Sequence, residues 1–482
     1  MKSNKSAYKN VIYSMFGVIF NTIIPIIVFP YVTRVLGVDG IGKYSFYSSA
    51  LTYAALFTGF GIALYGAREI GKCADDPNRR GQKLVELIVV NLMTVAIFFV
   101  IVIYFAFFSS YSKDWLIIIL FSFTLLTNAI GAEWFFVGIE KQGFMLVRNV
   151  VVKTISTILI FLLVKEPEHL VRYVAITTFS MAGSSLTNVY YLIKMSDGRS
   201  IKRLSVRKYL HPLSSIFSIE VLLRYLGLGD VVILGVLAGD NAVGIYSMGL
   251  KVFLLVSSIM KVTATTLMPR SAYYLENNDA EGFCRLFDNT IRMIFMVGLP
   301  ISVCMFLFAK PIIIILGGEQ FVGAVDLMKE MSFFLLLSVL VNTYVFQAFY
   351  PQNKTTSIIV AHLAGLVLNV VLNCLLVPYL SFQGTFIAFA VSNLSIALVL
   401  FVREYDFFRK SFCLGDTKKY LFATVISIVP AVMINCLLPT NIWMWLLMLF
   451  TFGLTYITVL NMTKDNLYIS IIKKIRENEI SR

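Results

Sequence analysis

Residues 35–45 read VLGVDGIGKYS, and residues 236–247 read VLAGDNAVGIYS. Gly42-x-Tyr44-Ser45 falls on Gly244-x-Tyr246-Ser247 at an offset of 202, and the same offset carries Arg68 onto Arg270. Long apolar runs surround both copies. The chain has 482 residues, 58% hydrophobic and 14% charged, where a soluble domain has about 25% charged residues. Runs of 18 or more apolar residues recur along its length, each able to cross a hydrocarbon core of about 30 Å. A barrel would show short alternating segments instead. The expected fold is an all-α polytopic membrane protein.

Apolar runs between polar breaks predict fourteen spans, near 11–33, 43–66, 84–108, 115–137, 145–164, 169–193, 212–238, 243–266, 290–316, 324–348, 356–376, 382–402, 420–438 and 442–461. The connections on one side hold only Arg34, Lys43, Lys113 and Lys165 of the 41 basic residues; those on the other side hold most of the rest. The positive-inside rule puts the basic side, both termini included, in the cytoplasm. The net charge of +14 is then mostly topology. The basic stretch RSIKRLSVRK (199–208) needs no nucleic-acid partner. The first apolar run is too long for a signal peptide and is expected to be retained. The tail LYISIIKKIREN is expected to lie on the anionic inner leaflet. The six cysteines have no metal or redox spacing, and no disulfide is expected.

Six spans separate the two copies of the motif, so the halves run parallel, as in transporters built from repeats. VGIEK (137–141) and YPQNK (350–354) extend the match at an offset of 213, each closing a fourth helix. The expected organisation is an N-lobe over 1–200, a C-lobe over 201–410, and two further helices with the amphipathic tail over 411–482. The two pseudo-symmetric six-helix lobes would flank a central cavity. Gly42 and Gly244 are expected to allow tight reversals after the outer loops. Tyr44, Tyr246 and Trp134 are expected at membrane interfaces.

TRVLGVDGIGKYSF (33–46), GFGIALYGAREIG (59–71) and EWFFVGIEKQGFMLVRN (133–149) together resemble the bacterial polysaccharide-transporter family. It includes the O-antigen flippases, within the superfamily of multidrug, oligosaccharidyl-lipid and polysaccharide exporters. The resemblance implies a non-enzymatic transporter in the bacterial plasma membrane, without a cofactor. It would move an undecaprenyl-diphosphate-linked oligosaccharide to the outer leaflet by alternating access, among membrane lipids and alongside polysaccharide-assembly partners such as a polymerase. The family's cavities are generally cationic; it has no fixed set of site positions to carry over.

The deep cations come from the residues themselves. A charge at the centre of a spanning helix costs roughly 2.5–3.5 kcal/mol on insertion scales. Within SIEVLLRYLGLGDVVILGVLAG (218–239) stand Glu220, Arg224 and Asp230. Arg224 lies roughly 18 Å from the inner start of its span, and Lys251 roughly 22 Å from the inner end of the next. Such a pair suits a diphosphate, Arg as a bidentate fork and Lys as a point charge. The alternative is an ion pair between Arg224 and Glu220, one turn apart.

Lys261 and Lys153 lie shallower. Lys261 serves the substrate or pairs with Glu220; Lys153 forms a basic ramp or snorkels. Asp230 is an ion-coupling acid or an outer interfacial charge. His362, Asn369 and Asn373 share one helix face, for sugar hydroxyls or interhelical hydrogen bonds. Arg224 and Lys251 fall on Thr22 and Ser49 in the first half, so the C-lobe is expected to hold the diphosphate and the N-lobe the glycan.

Two transporter rivals and one enzyme remain. A cation-coupled multidrug antiporter usually has twelve spans and an acid deep in its first helix, which this chain lacks. A lipid-linked peptidoglycan-precursor flippase fits fourteen spans. A polymerase or ligase needs a long outer loop, and the outer loops here are short. No nucleotide-binding Gly-Lys motif is present.

Overall fold

The computed structural model describes residues 4–73, 76–195, 205–411, 417–437, 442–463, 465 and 467–470, and among them every regular element is helical. The inner-leaflet tail expected at 467–478 falls mostly outside the described residues. By contacts, the chain divides into two compact units, Met1–Gly244 and Ile245–Arg482.

The first unit holds α1 (Asn4–Gly59), α2 (Ile62–Gly71), α3 (Pro77–Phe108), α4 (Trp115–Gly131), α5 (Glu133–Gly138), α6 (Gln142–Leu163), α7 (Leu170–Met195) and the first half of α8 (Arg207–Glu276). The second holds the rest of α8, then α9 (Ala280–Leu307), α10 (Ala309–Gly317), α11 (Ala324–Thr343), α12 (Thr355–Leu380), α13 (Phe382–Arg403), α14 (Tyr405–Ser411), α15 (Thr417–Leu437) and α16 (Ile442–Met462).

Among the described residues, ten helices are long and apolar enough to cross a membrane. Two of them, Ile24–Gly59 and Gly227–Glu276, run 36 and 50 residues. Each contains a glycine that breaks helical geometry, Gly37 at φ 69° and Gly239 at φ 83°. The expected count of fourteen reads each of these helices as two spans, and adds α7 and α11, which are not among the ten.

The backbone repeats where the sequence does. Gly37 and Gly239 stand 202 apart and share a positive φ. At the second match, Glu140 (φ 56°) and Asn353 (φ 59°) close their helices with the same pair of bonds. Glu140 N donates to Val137 O and Lys141 N to Phe136 O; Asn353 N donates to Tyr350 O and Lys354 N to Phe349 O. Both are Schellman closures, which satisfy the last carbonyls of a helix. Helix starts agree too: Asp76 caps α3 through Asn78 N and Arg79 N, and Asp279 caps α9 through Gly282 N.

These turns correct one expectation. Gly42 and Gly244 do not make the reversals, which fall on Gly37 and Gly239; they are bare because backbone packs on them. A Cβ on Gly42 would lie closer than 3.0 Å to Asp240 O, and one on Gly244 equally close to Val38 O. Two aromatic expectations fail as well. Tyr246 is fully buried. Trp134 is buried in a core with Ile70, Leu87 and Leu213, pressed on Gly66, where a Cβ would lie 2.5 Å from its ring. Their rings add more apolar contact inside than they would at an interface.

In the first unit, the second half of α1 and the first half of α8 pack antiparallel along their length. Phe57 and Phe60 meet Phe217 at ring distances of 5.3 and 5.1 Å. Gly61 faces Leu213 O, and Phe46 lies on Gly235. Asn241 Nδ2 donates to Asp39 Oδ1 at 2.9 Å at the far end. Glu86, buried on α3, anchors the start of α8 by accepting from Tyr209 Oη at 2.6 Å, Lys208 Nζ at 2.8 Å and Ser205 N at 3.1 Å.

In the second unit, α12 and α13 form a close hairpin. Ser357, Ala361, Gly365, Asn369, Asn373 and Val377 recur every fourth residue and are all buried, one continuous helix face. Gly365 lets Ile396 and Ser392 of α13 approach. At its end, burial raises the Glu404 carboxyl, but bonds from Lys354 Nζ and Ser357 Oγ, both at 2.5 Å, hold it below the usual range. The pair α15–α16 attaches through Tyr456 Oη, which donates to Met296 O on α9 at 2.6 Å.

Candidate functional site

The charges within the helices of each unit come from identifiable local structure. In the first unit, α8 is broken at Gly227, which adopts φ 94°. Gly227 N donates to Asp230 Oδ2 at 3.1 Å, the arrangement of a capping box in which the third residue of a helix reaches back to its cap. Asp230 is fully buried. Tyr53 lies beside it and bonds the Gly229 backbone. A discontinuous helix with a buried acid is where membrane transporters hold ions or substrate.

Glu220 lies half-buried seven residues before that break. The Arg224 side chain falls outside the described residues, so the choice between its pairing with Glu220 and its service to substrate stands as the sequence left it.

A second polar group in this unit surrounds Arg148, whose position beside Lys153 hid its role in the sequence. Its guanidinium is buried and bonds Glu133 at 2.9 Å, Asn149 at 2.7 and 3.1 Å, and Asn188. These join α5, α6 and α7. Ser185 Oγ, also on α7, donates to Asn128 Oδ1 on α4 at 2.8 Å. Lys153 is half-buried one turn further along α6 and feels the Glu133 charge. The arrangement offers hydroxyl, amide and carboxylate groups together, the chemistry that binds sugar hydroxyls.

In the second unit, Lys251 lies exposed on α8. Lys261, half-buried and roughly 15 Å further along the helix, donates to Ser338 Oγ on α11 at 2.9 Å. Ser338 was not singled out from sequence; a serine in an apolar span is too common a signal. Tyr344–Phe349 forms a π-helical turn after α11, and there Gln347 Nε2 donates to Thr290 Oγ1 at 3.0 Å. Such turns mark functional places in helices.

Asn369 and Asn373 are fully buried, and Asn373 Nδ2 donates to Asn369 O and Oδ1, both at 3.0 Å. His362, on the same face seven residues earlier, is half-buried, its Nδ1 at 2.9 Å from Ile358 O. The helix-pairing role fits these positions better than the sugar-facing one.

Each unit also has an apolar slot, and the two are related by the repeat. Ala50, Ala54 and Val102 line the first; Val252, Val256 and Cys304, each 202 residues later, line the second.

The sequence model of a family described as polysaccharide biosynthesis protein matches residues 7–274, more than half of the chain. The chain belongs to that family. A second model, MatE, matches residues 217–375 of the chain. The chain is 24% identical to a "Putative O-antigen transporter" of Escherichia coli (strain K12) over 367 residues, 73% of this chain and 86% of that one. A protein of the same name from Shigella dysenteriae is 26% identical over 174 residues, 36% of this chain and 44% of that one.

Among solved structures, the lipid II flippase MurJ in an inward-closed conformation aligns with a TM-score of 0.69 at 14% identity, over 95% of this chain and 100% of that one. An inward-facing multidrug resistance MATE family transporter aligns at 0.62 with 13% identity, over 80% and 93%. The family member is thus an all-helical, multi-pass membrane protein with the fold of the MOP transporters.

Proposed function

We propose that this protein is a flippase for an undecaprenyl-diphosphate-linked oligosaccharide, carrying it from the cytoplasmic to the outer leaflet of the bacterial plasma membrane by alternating access. Both termini are cytoplasmic in this reading, and the two six-helix halves act as the moving lobes. Membership of a polysaccharide biosynthesis family and O-antigen transporter relatives support it.

The observation that carries the substrate chemistry is the cationic α8 of the second unit. Lys251 lies exposed, and Lys261 bonds a neutral hydroxyl. Lys251 and Lys261 are the candidates for the diphosphate in the second unit, and Arg224 and Lys153 those in the first. The Asn128–Ser185 and Glu133–Arg148–Asn188 groups face the sugars. The apolar slots suit a polyprenyl tail, which has no place in a polar cavity. Asp230, with Glu220 on the same helix, is the candidate for ion coupling.

Complementation of flippase-null strains, each making a different glycan, tests the reading through the leaflet distribution of lipid-linked intermediates. Rescue of at least one strain is expected, with Arg224→Ala and Lys251→Ala each lowering surface polysaccharide about tenfold, as removal of a charged contact does. Full export by both variants at normal membrane levels would end the diphosphate assignment. The MatE match over 217–375 supports a second reading, a cation-coupled multidrug antiporter; drug resistance without glycan rescue would select it.

A further inference from the structure

The motif that opened the sequence returns as a contact between its two copies. Three relations hold at once, all inside the first unit. Gly42 packs its bare α-carbon on the carbonyl of Asp240, and Gly244 packs its own on the carbonyl of Val38. Asp39 accepts from Asn241. Val38 and Asp240, Asp39 and Asn241, Gly42 and Gly244 are each 202 residues apart. The contact is therefore reciprocal: what the first turn does to the second, the second does to the first. That is the pattern of an isologous two-fold interface, here folded into one chain.

Its chemistry differs from that of a core. The approach is backbone to backbone, which only small residues permit, and Gly42 and Gly244 are the residues of the motif that meet carbonyls. The accompanying hydrogen bond is exposed, so water competes for it and its net worth is small. Tight backbone closure is thus combined with a polar bond that water can replace, which suits a contact made and broken repeatedly.

We propose that these two turns are the closing seam of the outer gate, and that Gly42 and Gly244 are the positioning residues that let it shut. This rests on the flippase reading, which places the 34–43 and 239–242 connections at the outer face. In a transport cycle the seam is closed while substrate loads from the inside and parts to release it outside. A side chain at either glycine would displace the opposing carbonyl and hold the seam open.

The test uses the full chain in membranes with its six native cysteines replaced, carrying Asp39→Cys and Asn241→Cys and a protease site within 196–204. Oxidation should join the two fragments, lower surface glycan about tenfold, and be reversed by reductant, since a locked gate removes one state of the cycle. A single cysteine at 243, where Val243 is fully buried in the closed seam, should react with a membrane-impermeant maleimide from outside about fivefold faster when Gly42→Val is present, by shift of the open population. Gly59→Ala, where an added Cβ meets open space, should leave that rate unchanged.

Failure to cross-link, undiminished export by the cross-linked protein, or no change in labelling with Gly42→Val would each overturn the seam. Cross-linking and labelling need no substrate. If both behave as expected while the unmodified chain rescues no glycan strain, the flippase reading fails and the seam stands. If the unmodified chain rescues and the locked one still exports, the seam alone fails.

Discussion

Two glycine contacts, one in each unit, use the same small residue for opposite ends. At Gly365, the α12–α13 hairpin closes mainly over a side chain: Ile396 fills the space above it, with the Ser392 carbonyl further away, and the stripe from Ser357 to Val377 is buried along its length. At Gly42 and Gly244, carbonyls meet bare α-carbons, with an exposed hydrogen bond beside them. The first contact is permanent because many buried atoms would lose partners if it parted. The second closes on bare backbone, and the one hydrogen bond beside it is exposed, so water can take its place when the turns part. Glycine decides how near two helices come; the surroundings decide whether they stay.

The largest effect is expected where the permanent contact is overfilled. Gly365→Val would place a Cβ 2.5 Å from Ile396 Cγ1 and should cost about 2–3 kcal/mol, as insertions into packed interiors do. Detergent-solubilised protein should show it as a lowered unfolding temperature. A change within error would mean that the hairpin is as adaptable as the seam.

A smaller effect should follow from the helix break on the seam's side. Asp230→Leu removes the acceptor for Gly227 N and should cost about 1 kcal/mol, a lost cap. Asp230→Asn keeps the acceptor and should cost less than half as much. Equal losses in denaturant titrations would show that charge, rather than capping, holds that turn.

The smallest effect should come from the hairpin's rim. Glu404→Gln should cost about 0.5–1 kcal/mol, because its partner Lys354 is partly exposed. The Glu404 carboxyl titrates below its ordinary range. Its contribution is therefore complete above the unfolded-state value and is lost as pH falls through the lowered folded-state value. Wild type and variant should differ near neutral pH and converge in acid. A difference that persists in acid would assign the effect to packing.

Much of the fold was legible because it rests on local signals. The repeat was visible in a few residues, and both of its matches reappear as a shared positive φ at Gly37 and Gly239 and at Glu140 and Asn353. Hydropathy told which segments are apolar but not which of their faces meet protein. Tyr246 and Trp134 therefore read as interfacial and are buried. The two kinds of glycine in the motif look alike in sequence; one takes a positive φ and the other admits a carbonyl.

At the site, the deep charges were legible as anomalies in apolar helices. Their partners were not, because Ser338 for Lys261 and Glu133 and Asn188 for Arg148 come from other helices. Asp230 was recognised, yet its cap depends on the φ of Gly227, which sequence does not state.

The 202-residue spacing between Asp39 and Asn241 also has a consequence in time. A ribosome adding about 5–20 residues per second would take roughly 10–40 s to travel from one to the other. During that interval the first turn has already been threaded into the bilayer with no counterpart to meet. The backbone of its glycine and its aspartate are polar enough to stay hydrated at a surface while the turn waits. The features that keep the contact weak in the finished protein also keep its first half harmless while the second is still being made.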